Sequence, residues 1–237
     1  MATLNRETVE ERLKTKGKAL SLEKENLNGA DLSKLNLSNV NLTGAKLKGA
    51  NLSGCQLRNT NLAGADMRKV NLAKANLTGA NLSKANLTQA DLREVYLLKA
   101  NLVEANLEKA KLNKTKLDGA NLTQANLSGV NLDRSYLVRT NLTKANLNGA
   151  YLGGTNFQMA NLNETNLNWA DMRKSFLEQA DLSGANLRDA VLNETNFRNA
   201  VYNEKTQWPR NFDVQSAGVI RKEVPTKKKK KKWFGLF

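Results

Sequence analysis

Hydrophobic and polar positions along most of this chain recur on a period of five. Ala80-Asn81-Leu82-Ser83-Lys84 is followed by Ala85-Asn86-Leu87-Thr88-Gln89 and then Ala90-Asp91-Leu92-Arg93-Glu94. Each unit is a small residue, Asn or Asp, Leu, and two polar or Gly residues. The central position recurs without a slip from Leu27 to Phe197, and every centre is Leu except Met67, Phe157, Met172 and Phe197. The residue two before each centre is Ala, Val, Thr, Ser or Cys55, with Glu25 and Leu35 as early exceptions.

Neither regular element accommodates this period. On an α-helix five residues advance the direction by about 500°, so Leu would visit every face and no apolar stripe would form. On a flat strand an odd repeat throws successive Leu to opposite sides. The chain must therefore reset its direction every five residues, through a short extended piece and a corner. In the extended piece the small residue and the Leu are two apart and share the inward face, while Asn or Asp points outward. The last two residues, such as Ser53-Gly54 and Thr78-Gly79, have the composition of a turn.

The A(N/D)LXX pattern over about residues 25–202 resembles the pentapeptide-repeat family. The resemblance implies an all-β solenoid, a right-handed quadrilateral β-helix with four units per coil and about nine coils. Leu and the small residue would fill a dry square interior. Coils stacked roughly 4.8 Å apart, the spacing of hydrogen-bonded strands, would make a rod on the order of 40 Å long. Each Leu buried there contributes roughly 1.5–3 kcal/mol, and ordering the backbone offsets most of the sum.

The flanks break the period. Thr8 to Lys14 reads as a short amphipathic helix with Val9 and Leu13 on one side and Gly17 as its stop. A solenoid exposes strand edges and core at its ends, so this segment is expected to cap the first coil. Val201 to Asp213 carries Tyr202, Trp208 and Phe212, a candidate lid for the last coil. Tyr202, Thr206-Gln207-Trp208-Pro209, Phe212-Asp213 and Ala217-Gly218 resemble the ending of many cyanobacterial pentapeptide-repeat proteins. The expected organisation is an N-terminal cap over 1–24, the repeat β-helix over 25–202, a C-terminal cap over 203–220 and a disordered basic tail over 221–237.

Outward positions are free of core constraint, so departures from Asn or Asp there are informative. Sorted by side, with four units to a coil, the side carrying Asn41, Asn61, Asn81, Asn101, Asn121, Asn141, Asn161 and Asp181 never departs, and its stacked amides are expected to form a ladder. Another side reads Asn36, Gln56, Asn76, Tyr96, Lys116, Tyr136, Asn156, Phe176, Asn196. Its following outward positions add Leu98, Val138 and Met159, with Lys99 and Arg139 among them, and the neighbouring side adds Lys111, Tyr151 and Val191. Tyr96, Leu98, Lys116, Tyr136, Val138, Met159 and Phe176 are the candidate protein interface, for a second copy or another protein. Aromatic residues resting on their own coil are the plainer alternative. Lys116 between two Tyr also has the outline of a nucleic-acid platform, a weaker reading.

The net charge of +15 is concentrated at the end of the chain, with +7 in residues 203–237. Lys227, Lys228, Lys229, Lys230, Lys231 and Lys232 precede Trp233, Phe234, Leu236 and Phe237. Each Lys near an anionic membrane contributes about 1 kcal/mol, and aromatic side chains are favoured at the interface. Charge and apolar insertion together supply the two signals that reversible docking needs. With no apolar leader in Met1–Ser21, the expected location is cytoplasmic, peripheral on the cytoplasmic face of a membrane.

The chain has no His, one Cys, no Gly-rich phosphate loop and no close carboxylate pair. Nothing in it calls for catalysis, a metal or a cofactor. The resulting reading is a non-enzymatic interaction scaffold with possible membrane docking. The alternative is a nucleic-acid-linked regulator, through the Lys run or as an acidic DNA mimic that inhibits a topoisomerase. Mimicry requires a broadly negative wall, and the most acidic wall here sets Lys84 and Lys144 against Glu104, Glu164 and Asp181.

Overall fold

The computed structural model describes residues 3–222, so the tail from Lys227 to Phe237 lies outside the described residues. Parallel bridges pair each outward Asn position with the one twenty residues on: Asn41 with Asn61, Asn61 with Asn81, Asn81 with Asn101. Twenty residues hold four five-residue units, so each coil has four sides. A side contributes one bridge per coil because only three of its residues are extended before the next corner. Among the described residues regular strand is therefore confined to β1 (Val201–Tyr202) and β2 (Ile220–Arg221), which pair in parallel.

Five residues suffice because a regular unit satisfies all five of its own N–H groups. Asn81 N–H donates back to Thr60 O at 3.0 Å, and Leu82 N–H donates forward to Asn101 O at 2.7 Å. Lys84 N–H donates to Val103 O at 2.9 Å, and Ala85 N–H closes the corner onto Leu82 O at 3.0 Å. The remaining donor, Ser83 N–H, has its partner in Asn81 Oδ1 at 3.1 Å. This explains the outward Asn or Asp. Without a carbonyl or carboxylate oxygen there, the N–H two residues on lacks an acceptor. At each corner from Lys24 to Asn199 the second turn residue sits at φ between 54° and 71°. Most of these residues are not glycine, and the N–H bond to the next coil offsets the left-handed strain.

The interior is dry. The centres from Leu27 to Leu187 are fully buried, including Met67, Phe157 and Met172, and Leu192 is half-buried at the end. Among the described residues most buried hydroxyls at inward positions find a carbonyl one coil back, while Ser175 Oγ has no partner. Thr60 Oγ1 donates to Leu37 O at 2.7 Å, and Thr165 Oγ1 to Leu142 O at 2.8 Å. The Cys55 thiol does the same toward Leu32 O at 2.9 Å, and burial pushes its pKa up to about 11.

Amide ladders form, but not mainly on the side expected. On the Asn41 side only Asn61, Asn81 and Asn101 are joined, at 3.1 Å per bond. Thr123, Thr143 and Asn163 side chains donate to the Oδ1 atoms of Asn121, Asn141 and Asn161 and take the place of the next coil's amide. The longest ladder runs Asn106, Asn126, Asn146, Asn166, Asn186 on the adjacent side, with bonds of 3.1–3.3 Å.

At the start, α1 (Arg6–Lys16) buries Val9 completely and Leu13 partly against the first coil. Asn5 Oδ1 caps it through Thr8 N–H, and Gly17 at φ 50° ends it. Arg12 Nη1 reaches Glu25 Oε1 at 3.0 Å, so the charged residue at an inward phase is held by the cap. At the far end Trp208 stacks on Phe212 at 4.9 Å, and both meet the Phe197 ring edge-on at 5.5–5.6 Å. Asn186 bridges Gln207, one residue later than the twenty-residue register, so the chain gains a residue as it enters this lid.

Candidate protein-docking face

The side carrying Tyr96 forms one continuous column. Tyr96 bridges Lys116, Lys116 bridges Tyr136, Tyr136 bridges Asn156, and Asn156 bridges Phe176. Tyr96, Tyr136, Met159 and Phe176 are exposed, by 41–47 %. Leu98 and Val138 are half-buried between them. Lys116 Nζ lies 5.0 Å from the Tyr96 ring centroid in cation–π geometry, and Arg139 Nε approaches Met159 Sδ at 3.4 Å. All seven candidate residues therefore share one face of the rod.

Three departures from Asn carry a replacement for the lost acceptor. Tyr136 cannot accept the N–H of Val138, and Asp118 Oδ1, one coil back, takes it at 2.9 Å. Tyr151 on the adjoining side leaves Gly153 N–H, which donates to Asp133 Oδ1 at 2.9 Å. Lys46 follows the same rule, with Lys48 N–H donating to Asn28 Oδ1. At Tyr136 and Tyr151 the backbone N–H two residues on therefore keeps an acceptor despite the loss of Asn.

A hollow of about 660 Å³ lies where the Tyr96 side meets its neighbour. It is lined by Lys74, Glu94, Tyr96, Lys114, Lys116, Arg134 and Tyr136. A second, of about 490 Å³, continues past Arg134 to Tyr151, Asp171 and Arg173. Asp171 and Arg173 form a two-bond ion pair on one unit, as do Asp91 with Arg93 and Asp66 with Arg68. The arginine hydrogen bonds hold each of these carboxyls below the usual carboxylate range.

One exposed aromatic residue escapes a reading restricted to the Asn position. Trp169, 64 % exposed, stands on a corner at φ 58°. Its signal is an indole at a position given, apart from Met159, to Gly and to polar side chains.

A family model described as pentapeptide repeats matches residues 26–62, 50–89, 85–124, 120–158 and 160–199. The chain belongs to the pentapeptide-repeat family. Among solved structures, this pentapeptide-repeat chain is similar to HetL, a pentapeptide repeat protein involved in heterocyst differentiation regulation from the cyanobacterium Nostoc sp. strain PCC 7120. The two share 29% identity over 93% of each chain, with a TM-score of 0.77. AT2G44920, a pentapeptide repeat protein from the Arabidopsis thaliana thylakoid lumen, is 34% identical over 41% of this chain and 68% of its own, with a TM-score of 0.41. Rfr23 from the cyanobacterium Cyanothece 51142 is 37% identical over 41% of this chain and 63% of its own, with a TM-score of 0.25. No curated protein matches the chain. Membership makes the rod a right-handed β-helical solenoid, and the family's members are generally non-enzymatic repeat scaffolds. Among the described residues no cluster of Cys, Asp and Glu is arranged to hold a metal, and no helix is long and apolar enough to cross a membrane.

Proposed function

We propose that this pentapeptide-repeat rod is a non-enzymatic regulatory scaffold that presents the Tyr96–Phe176 face to a protein partner. The observation that carries the reading is the acceptor swap: Asp118 and Asp133 preserve the backbone bonds where Tyr136 and Tyr151 replace Asn. Exposed aromatic residues on this wall form an apolar, partly cationic surface of the kind that interfaces favour. The likeness to HetL, which is involved in heterocyst differentiation regulation, supports a regulatory role. In this reading residues 1–24 and 203–220 are caps, 25–202 form about nine coils, and 221–237 are a tethering tail.

A photo-crosslinking residue placed at Tyr136, and in parallel at Asn101 on the plain side, tests the face. The reading expects one protein to be trapped from position 136 alone. Its affinity for the purified chain should then fall when Tyr96, Tyr136 and Phe176 are all changed to Asn. Equal trapping from both positions, or unchanged affinity, removes the face as the interface.

The tail supports a second element, reversible docking on an anionic membrane through Lys227–Lys232 and the aromatic residues after them. Flotation with neutral and anionic liposomes tests it. Binding to anionic liposomes alone is expected, lost in a chain ending at Thr226 and in one with Trp233, Phe234 and Phe237 changed to Ser. Binding that needs only the Lys run and extends to any duplex assigns the tail to nucleic acid instead. The DNA-mimic reading is disfavoured on the plain side, where Glu104, Glu164 and Asp181 are neutralised by Lys84, Lys144 and Lys222 at 3.4–3.7 Å.

A further inference from the structure

The 660 Å³ hollow has a composition that none of the foregoing requires. Lys74, Lys114, Lys116 and Arg134 converge on it against one carboxylate, Glu94. Among the described residues none of these four cations has a carboxylate within ion-pair distance. Elsewhere on the rod Arg68, Arg93 and Arg173 are held by an Asp on their own unit, and Lys84, Lys144 and Lys174 each reach a Glu one coil on. The rings of Tyr96 and Tyr136 stand between the free cations, and Lys116 lies over the first of them.

The hollow is also finite. Along the corner that carries Lys74, Glu94, Lys114 and Arg134, the positions immediately outside are Gly54 and Gly154, so the side chains stop at both ends. From Lys74 to Arg134 is three coil steps, about 14 Å at the ~4.8 Å spacing of paired strands. An extended peptide rising ~3.3 Å per residue crosses that length in about four residues. A polyanion with a continuous phosphate track would meet Glu94 inside the hollow and a bare glycine at each end. A short segment that alternates carboxylates with apolar side chains would set its charges on the four cations and its apolar groups on the two rings.

We infer that this hollow is a docking slot for a short, extended acidic segment of a partner protein, one whose carboxylates are interspersed with apolar residues. The inference rests on the reading of the Tyr96–Phe176 face as a partner surface, and it names the chemistry that face recognises.

Fluorescence anisotropy with the full chain tests it at about 0.15 M salt, where long-range charge is screened. The probe is a fluorescein-labelled, amidated pentapeptide Glu-Leu-Asp-Tyr-Glu. The same peptide with Lys at the acidic positions and a single-stranded thymidine decamer serve as the other arms. Saturable binding of the acidic peptide alone is expected. It should weaken roughly tenfold in K114E/R134E, the scale of two reversed exposed charges, and stay unchanged in K48E/K69E, which alters net charge equally away from the hollow. Y96N/Y136N should weaken it as well. Equal loss in both charge variants would reduce the effect to net charge and overturn the slot. So would absent peptide binding, or tighter binding of the decamer that K114E/R134E abolishes. Crosslinking from position 136 separates the two readings. If a partner is still trapped there while the peptide fails, the face stands and the acidic slot falls.

Discussion

Asp118 Oδ1 accepts the backbone N–H of Val138 across one coil, at 2.9 Å. In a regular unit that N–H belongs to the Asn two residues before it, as Thr143 N–H belongs to Asn141 Oδ1 at 3.0 Å. Tyr136 removed the local acceptor, and Asp118 restored one from below. D118A should therefore destabilise the rod by about 1–3 kcal/mol, the range for a donor left without a partner, while D118N should be nearly neutral. Adding Y136N to D118A should recover most of the loss, because the substituted amide brings the local acceptor back. Urea unfolding of the four chains reads the cycle. Additive losses, with no recovery in the double variant, would show that Asp118 acts by some other contact.

Much of this could be read from the chain, and the reason is the rigidity of its register. A five-residue period with Leu at its centre admits little besides a solenoid, and the centres from Leu27 to Leu187 are indeed buried. Sorting outward positions by side likewise gathers Tyr96, Lys116, Tyr136 and Phe176 into one column. What escaped depends on atoms rather than on phase. Asp118 and Asp133 look like ordinary surface carboxylates until the fourth position of a unit is known to face the same position one coil on. The break in the ladder at Asn121 and Asn141 turns on which donor reaches Oδ1 first, and there Thr123 and Thr143 hydroxyls win at 2.6–2.7 Å. The extra residue before Gln207 lies where the repeat has already ended, so no period could place it.

Asp91 and Arg93 give the rod an acid-sensitive element. Arg93 donates to both carboxylate oxygens, and its hydrogen bonds hold the Asp91 carboxyl below the ordinary value. A depressed carboxyl contributes stability above its unfolded pKa of about 3.9, and the contribution is lost as pH falls through the folded value. D91N keeps the oxygen that Arg93 N–H needs but cannot ionise. Stability of the parent relative to D91N should be constant from pH 7 to about 5 and should decline below about pH 4. Urea midpoints at stepped pH measure it, and parallel curves across the whole range would contradict the assignment.

The ion pair between Arg12 and Glu25 predicts an asymmetry at the N-terminal cap. Glu25 occupies an inward phase where nearly every other unit has a small residue, and Arg12 of α1 neutralises it at 3.0 Å. R12A leaves a half-buried carboxylate without its partner and should cost about 1 kcal/mol, a modest figure because both groups keep contact with water. E25A restores the regular repeat and should cost less, or stabilise. The double variant should resemble E25A. Thermal unfolding with E25A as the more damaging change would mean that the pair, rather than the repeat, anchors the cap.

Cys55 ties stability to alkaline pH. Its thiol is fully buried, donates to Leu32 O at 2.9 Å, and is pushed up to about 11 by that burial. A raised pKa means that the folded chain holds the proton more tightly than the unfolded one. The thiol's contribution is therefore complete below the unfolded value of about 8.5 and is lost as pH rises toward the folded one. C55A substitutes the residue that most units carry at this position and has nothing to titrate. The stability difference between the parent and C55A should shift against the parent by about 2–3 kcal/mol between about pH 8.5 and 11, at 1.36 kcal/mol per unit. Comparing the two chains cancels the Lys and Tyr groups that titrate in the same window. The folded parent should also resist a thiol reagent at neutral pH and react at once in denaturant, because the nucleophile is the thiolate. Rapid labelling of the native rod would place Cys55 at the surface and remove both expectations together.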